Sequence, residues 1–266
     1  KFRVDNTAEV LEYRLQKSTS VDGQYQTIRS FPNIGQTEVT YIDTEVNVDE
    51  VIYYYRLVSL NPCGVISSTS NLASNIIITA DESEDLDHYF SWTEYFDWQD
   101  GVLEYRIYSS FDNTDNHIGT VYSDEFSSQH NIESYVNYCH DNQLHLTNRF
   151  CYYIEAIEDH ADNPTGVRGV SRSNKVCFMM EPVVYFPNAI NTSSYSAENR
   201  EFRPVLSFIE KEPFEMIIMD RAGFEIYRTT KTYEGWDGLL QYSIAPSQQY
   251  MFVITYYDYT GKMYQK

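Results

Sequence analysis

Apolar and polar residues alternate in short runs along most of the chain, which is the pattern of half-buried β-strands. In one such run Tyr53, Tyr55, Leu57 and Ser59 share a face, and the small Ser59 is compatible with the inward side. Helix-forming residues are sparse, and no long stretch keeps a 3.6-residue apolar period. The pattern therefore predicts an all-β chain.

One of these runs occurs twice. Residues 10–15 (VLEYRL) recur 92 residues later as residues 102–107 (VLEYRI), a spacing that suits one β-sandwich per copy. Further along, residues 53–58 correspond to 151–156 in character, and the Ser-Asn pair at 70–71 corresponds to the pair at 173–174. The repeat predicts two sandwiches in tandem.

Alternation also predicts how each copy closes its corner. Tyr53 occupies the position of a corner tyrosine, whose hydroxyl ties the crossing loop of such a sandwich. In the second copy the inward face is Phe150, Tyr152, Ile154 and Ala156. Because Phe150 has no hydroxyl, the corner bond should be missing there, and the second copy needs another tie.

The four cysteines are candidates for such ties and allow three full pairings. Cys151 points outward on the sixth strand of the second copy, and Cys177 follows on the neighbouring seventh strand, so we predict a Cys151–Cys177 disulfide. Cys63 and Cys139 then remain, and pairing them would link the two sandwiches. Buried thiols are the open alternative, while the absence of Cys-x₂-Cys spacing disfavours zinc.

The order of these strands resembles that of fibronectin type III domains. Residues 90–93 (FSWT) resemble the second strand of that family with its core Trp92, and the tyrosine, aromatic and Ser-Asn strands follow in the family's order. The resemblance implies fibronectin-III-like sandwiches of the immunoglobulin-like class.

The last third of the chain resembles a different family. It contains, in order, FPNAI, EFRPV, FEMIIMDRAGFEIYRTT, YEGWDG and YMFVITYYDYTGKMYQ. These pieces resemble the gliding-motility-associated C-terminal domain, or type B sorting domain, of Bacteroidetes type IX secretion cargo. Two motifs depart from the family pattern: an acidic, Gly-rich loop is replaced at residues 190–195 by INTSSY, and Pro-x-Gly is replaced at residues 246–248 by PSQ.

The resemblance implies an export address, expected to be a β-sandwich itself, that another protein reads. Its expected partners are the type IX outer-membrane translocon and associated outer-membrane shuttle or anchor proteins, and its expected location is the cell surface or the medium. The residues expected to carry recognition are Pro187, Asn188, Arg221, Gly223, Gly235, Trp236, Asp237, Gly238 and Tyr250.

Together these resemblances predict three domains, at residues 1–80 (a sandwich incomplete at its N-terminus), 81–181 and 182–266. We read the chain as the C-terminal stalk and type IX secretion signal of a large exported cell-surface protein, a gliding or attachment adhesin. The alternatives are the spacer and export signal of a secreted polysaccharide-degrading enzyme, or a carbohydrate-binding module.

The net charge of the chain limits the classes of partner that it can bind. Nineteen basic residues against 39 acidic ones give a net charge of −20, which opposes binding to nucleic acid and to anionic lipid. The surplus of acidic residues favours solubility. The carboxylates at 43–45 and 81–85 could instead bind Ca²⁺ between packed domains, which stays an alternative. Neither stretch has EF-hand spacing, and no transmembrane run is present, so we predict no metal site, no cofactor and no membrane insertion.

Candidate catalytic chemistry is sparse. Of six histidines only His140 and His145 are close in sequence, in a polar stretch beside Cys139, and their spacing fits no metalloprotease helix. No nucleophile elbow, phosphate loop or dinucleotide loop occurs, so we predict that this chain is not an enzyme. The rings of Trp92 and Trp98 could stack on sugars, but packing in or against the sandwich is the favoured interpretation.

Overall fold

The computed structural model describes residues 1–81, 86–96, 98–111, 114–142, 144–159, 168–210, 212–240 and 243–266. Almost all regular structure in these ranges is β-strand, which confirms the predicted all-β class. The chain divides into two compact units, Lys1–His130 with Cys151–Val176, and Asn131–Phe150 with Cys177–Lys266. The three-domain division at residues 80 and 181 stays a prediction.

The first copy of the repeat forms two facing sheets in the first unit. The larger sheet has the order β3-β2-β5-β6, with β7 also on β5, and the smaller sheet pairs β1 with β4. Tyr13, Leu15 and Leu57 of the larger sheet pack with Val39 of the smaller one to form the core. The strands are β1 (Phe2–Arg3), β2 (Glu12–Ser18), β3 (Gln26–Pro32), β4 (Glu38–Val39), β5 (Tyr54–Leu60), β6 (Ile66–Thr69) and β7 (Ala73–Ser74).

The second copy forms the sheets β12-β9-β8 and β11-β10-β13-β14, with β15 also on β13. Between the facing sheets the Phe90 ring stacks on Tyr152, with ring centroids 4.9 Å apart, and Trp92 is buried against Tyr105. Trp92 is therefore a core residue, as favoured above. The elements are β8 (Ile78–Ala80), β9 (Asp87–Trp92), β10 (Val102–Phe111), β11 (Thr114–Tyr122), β12 (Ser127–Asn131), α1 (Glu133–Asp141), β13 (Arg149–Glu158), β14 (Val170–Arg172) and β15 (Val176–Met179).

Matching hydrogen bonds confirm the internal repeat. Ser70 Oγ accepts the Leu57 N–H at 2.9 Å, and Ser173 Oγ accepts the Ile154 N–H at the same distance. Each serine hydroxyl then donates to the carbonyl of the asparagine that follows it. The register also shifts after Leu15 in one copy and after its repeat partner Ile107 in the other. The two copies thus share local bonding as well as sequence.

The predicted corner bond forms in the first copy. Tyr53 OH accepts the Asn47 N–H at 3.1 Å, and Asn47 belongs to the loop that crosses from β4 to β5. In the second copy Phe150 is fully buried and packs edge-on against Tyr135 of α1, with centroids 5.9 Å apart. A ring contact therefore stands where the first copy has a hydrogen bond.

One of the two disulfide predictions is confirmed, and the other is wrong. Cys151 and Cys177 are disulfide-bonded, as the strand pattern predicts. The predicted Cys63–Cys139 bridge is wrong, because both residues carry thiols. Cys139 lies on α1, which the sequence analysis missed, and its side chain is buried in packing, whereas Cys63 lies on an exposed turn before β6.

The C-terminal part of the second unit forms a further sandwich. A four-stranded sheet, β19-β18-β22-β23, packs against the ribbon β16-β17 through Met216, Ile254 and Tyr256 on one side and Val184 and Leu206 on the other. The strands are β16 (Val183–Tyr185), β17 (Val205–Ser207), β18 (Glu215–Met219), β19 (Glu225–Thr229), β20 (Leu239–Leu240), β21 (Ser243–Ile244), β22 (Met251–Tyr257) and β23 (Met263–Gln265). A short 3-10 turn, Ala197–Arg200, precedes β17.

Candidate partner-binding surface

The Gly-Trp-Asp-Gly turn at residues 235–238 is anchored by its tryptophan. Trp236 is buried, its Nε1 donates to the Leu239 carbonyl at 3.0 Å, and its ring meets Tyr250 edge-on at 4.9 Å. Trp236 and Phe202 also exchange backbone hydrogen bonds of 2.7 and 3.1 Å. The turn is therefore fixed both to the start of β22 and to the segment before β17.

Both glycines of this turn are required by the space around them. A Cβ on Gly235 would lie 2.8 Å from Arg203 Cβ, and a Cβ on Gly238 would lie 2.7 Å from Thr192 Cγ2. Gly238 also has a φ of +75°, a left-handed conformation that side chains disfavour. Asp237, between them, is exposed, and its Oδ1 accepts the Leu239 N–H at 3.0 Å. The turn thus presents one carboxylate to solvent in a fixed position.

A second turn, between β18 and β19, is built on Asp220. Its Oδ1 accepts the N–H groups of Ala222 and Phe224, both at 2.9 Å, while Gly223 takes a φ of +85°. Arg221 is exposed on this turn. Because β18 pairs with β22 from Met219 to Met251, the Asp220 turn lies at the end of the sheet where β22 begins.

The β22–β23 connection repeats this chemistry at the opposite end of the sheet. Asp258 Oδ1 accepts the N–H groups of Thr260 and Lys262, and Tyr264 OH donates to Oδ2 at 3.0 Å. Hydrogen bonding, first from the Thr260 hydroxyl, holds the pKa of Asp258 below its usual value. Side-chain acceptors thus fix the turns at both ends of the sheet.

The nine residues predicted to carry recognition differ in what they can offer a partner. Trp236 and Gly238 are buried and hold the Gly-Trp-Asp-Gly turn in place. Gly235 and Tyr250 are half-buried at the same turn, where the Tyr250 ring contacts Trp236. The residues exposed to solvent are Asn188, Arg221, Gly223 and Asp237, and Pro187 is half-buried. Whether these residues bind a partner stays a prediction.

Pro187 and Asn188 line a cleft of ≈ 980 Å³ that the sequence analysis missed. Its wall includes residues 139–141 and 144–146, which reach it through α1 and the chain that follows. His140 Nε2 lies 2.9 Å from Ser207 Oγ on β17. The cleft brings together three segments that are far apart in sequence, so periodicity gave no signal for it.

A pair of histidines in the first unit, buried His88 and half-buried His130, was also missed. His88 Nδ1 lies 2.7 Å and His130 Nδ1 lies 2.9 Å from the same Tyr152 hydroxyl. Burial, and then the charge of His130, lowers the pKa of His88 to about 4, and burial lowers the pKa of His130. The same burial raises the pKa of Tyr152.

The described residues include one of the two candidate Ca²⁺ stretches and only Asp81 of the other. No group of three or more His, Cys, Asp or Glu side chains in the described part of the chain is placed to hold a metal ion. Asp43, from one candidate Ca²⁺ stretch, instead accepts from Lys17 Nζ at 2.8 Å and from Tyr55 OH at 3.0 Å. Residues 82–85 of the other stretch, Asp97 between the candidate sugar-binding aromatics, and His160 lie outside the described residues.

Comparisons with known proteins add no family. No family model matches the chain, and no curated protein matches it. Among solved structures, the FN1–FN3 domains of chicken CNTN1 align over 99% of this chain and 90% of theirs, at 10% identity and a TM-score of 0.25. Within the described ranges, no helix is long and apolar enough to cross a membrane.

Proposed function

We propose that this chain is the C-terminal stalk and type IX export signal of a large exported cell-surface protein, a gliding or attachment adhesin. The observation that carries the proposal is the Gly-Trp-Asp-Gly turn. Its tryptophan and both glycines are committed to holding the turn, and only Asp237 points to solvent. A turn held this firmly around one exposed charge suits recognition by another protein.

The remaining recognition surface follows from the same sheet. Arg221 is exposed on the Asp220 turn, at the end of the sheet where β22 begins. The proposed partners are the type IX outer-membrane translocon and its associated outer-membrane proteins. The net charge of −20 argues against nucleic acid and against anionic membrane surfaces as partners. The sandwiches of the first unit would serve as stalk, with no catalytic role proposed for the chain.

Export from living cells tests the proposal. A reporter with a general secretory signal, fused ahead of residues 1–266, should reach the cell surface or medium only in a strain with an intact type IX translocon. Asp237→Ala and Arg221→Ala should each reduce export while leaving thermal unfolding close to that of the parent, since both side chains are exposed. Arg29→Ala, an exposed position on β3 of the first unit, serves as a substitution control outside this surface. Equal export with and without the translocon would refute the proposal.

A further inference from the structure

The cleft of the second unit has an apolar floor and a polar wall. Its floor includes Cys139, Leu146 and Ile209, all of them buried. Its volume of ≈ 980 Å³ is at the upper end of the range of about 300–1,000 Å³ that ligand pockets occupy. The cleft is therefore large enough for a ligand of more than one ring.

Two tyrosines stand exposed in the lining of this cleft. Tyr185 is 65% exposed on β16, where its backbone pairs with Val205, and Tyr233 is 54% exposed. Lys231 Nζ lies 5.7 Å from the Tyr233 ring centroid, and Arg203 Nη1 donates to the Tyr233 backbone carbonyl at 3.5 Å. An aromatic ring in this setting presents an apolar face beside a polar tip.

The rest of the wall is rich in planar polar side chains. Glu201 and Arg203 form an ion pair of 3.2 Å, and Asn188, Asn199 and Asp141 also line the cleft. Amide, carboxylate and guanidinium groups each offer two hydrogen-bonding atoms in one plane, which matches adjacent hydroxyl groups on a ring. The ion pair fixes two of these groups before any ligand arrives.

Charge and shape select among possible ligands. The cleft is lined by two carboxylates, Asp141 and Glu201, and by one guanidinium, Arg203. The chain as a whole is also strongly acidic, so anionic ligands are disfavoured. A purely apolar ligand would displace water from these polar groups without offering them hydrogen bonds in return. A ring carrying several hydroxyls and one apolar face satisfies both kinds of lining. We infer that this cleft binds a neutral oligosaccharide, whose rings stack on Tyr185 and Tyr233 and whose hydroxyls bond the amides and carboxylates.

This inference goes beyond the export proposal and is tested on purified protein. Residues 1–266 are titrated by calorimetry with the neutral hexamers of β-glucan, xylan, mannan and chitin, and with oligogalacturonate as an anionic probe. At least one neutral hexamer should bind saturably. Tyr185→Ala and Tyr233→Ala should each weaken its Kd roughly tenfold, the loss of one aromatic contact.

Tyr195→Ala is the matched control, because Tyr195 is fully exposed and lies outside the cleft lining. It should bind as the parent does. Asn188→Ala provides a second cleft variant in case either tyrosine variant unfolds, and circular dichroism checks each fold. Three results would overturn the inference: no neutral hexamer binding below about 5 mM, equal binding by parent and all cleft variants, or binding of oligogalacturonate alone. Each of these leaves the export assay unaffected, because that assay measures delivery in cells.

Discussion

A single hydroxyl group, that of Tyr152, joins the imidazoles of buried His88 and half-buried His130. A hydroxyl has one proton to donate, so it can donate to only one of His88 and His130, and the other must donate its own Nδ1 proton. Protonating the accepting imidazole removes that acceptor and places a charge in the core. The folded state therefore prefers both rings neutral, which agrees with the lowered pKa of each.

The lowered pKa values predict acid-sensitive stability. A histidine with a depressed folded-state pKa binds fewer protons when folded than when unfolded. Its contribution to the free energy of unfolding is therefore present above about pH 6.5 and is lost as the pH falls toward about 4. We expect the free energy of unfolding to fall by on the order of 2 kcal/mol between pH 7 and pH 5. Urea titrations at the two pH values measure this.

His88→Asn supplies the control, because an amide keeps a polar atom near the Tyr152 hydroxyl but does not titrate. The variant should lose much less stability than the parent over the same pH interval. An unchanged pH dependence in the variant would show that other groups cause it.

At the scale of elements, two substitutions of Trp236 separate the contribution of ring packing to the stability of the Gly-Trp-Asp-Gly turn from that of hydrogen bonding. Trp236→Phe keeps an aromatic ring beside Tyr250 but removes the Nε1 bond to Leu239, and should cost about 1 kcal/mol of unfolding free energy. Trp236→Ala also removes the packing and should cost about 3–5 kcal/mol. Thermal unfolding measures both, with Asp237→Ala as a control that leaves the packing intact. Equal losses for the Phe and Ala variants would contradict this division.

Elements with a clear period were predictable from sequence, and those without one were not. Alternation found the inward face of β5, the corner bond of Tyr53 and the Cys151–Cys177 disulfide. It missed α1, which is nine residues long and buries only Val136 and Cys139, too few positions to show a helical period. That omission produced the wrong Cys63–Cys139 pairing.

Contacts over long sequence distances were equally invisible. His88 and Tyr152 are 64 residues apart, and His140 and Ser207 are 67 apart. No local pattern links such residues, since their meeting depends on how strands order within a sheet and on what an inserted segment packs against. The exposed tyrosines of the cleft gave no signal for the same reason.

At the scale of the molecule, the second unit is discontinuous in sequence. Residues Asn131–Phe150 belong to it, although its C-terminal sandwich begins only at Val183. Phe208, next to β17, takes a φ of +58°, which costs of the order of 1–3 kcal/mol for a side chain of its size. It is buried edge-on against Phe150, with centroids 6.2 Å apart, so packing on the 131–150 segment offsets that cost.

It follows that the strands from β16 onward should be less ordered when they are cut from the 131–150 segment. In a fragment of residues 177–266 we expect faster amide exchange at Ser207, Phe208 and Ile209 than in the full chain, because Phe150 and His140 no longer cover them. The β22–β23 hairpin is the internal control and should exchange at similar rates in both proteins. Under the export proposal, residues 131–266 should direct a reporter to the cell surface more efficiently than residues 177–266. Identical exchange at Phe208 in the fragment and the full chain would show that the C-terminal sandwich folds without the inserted helix.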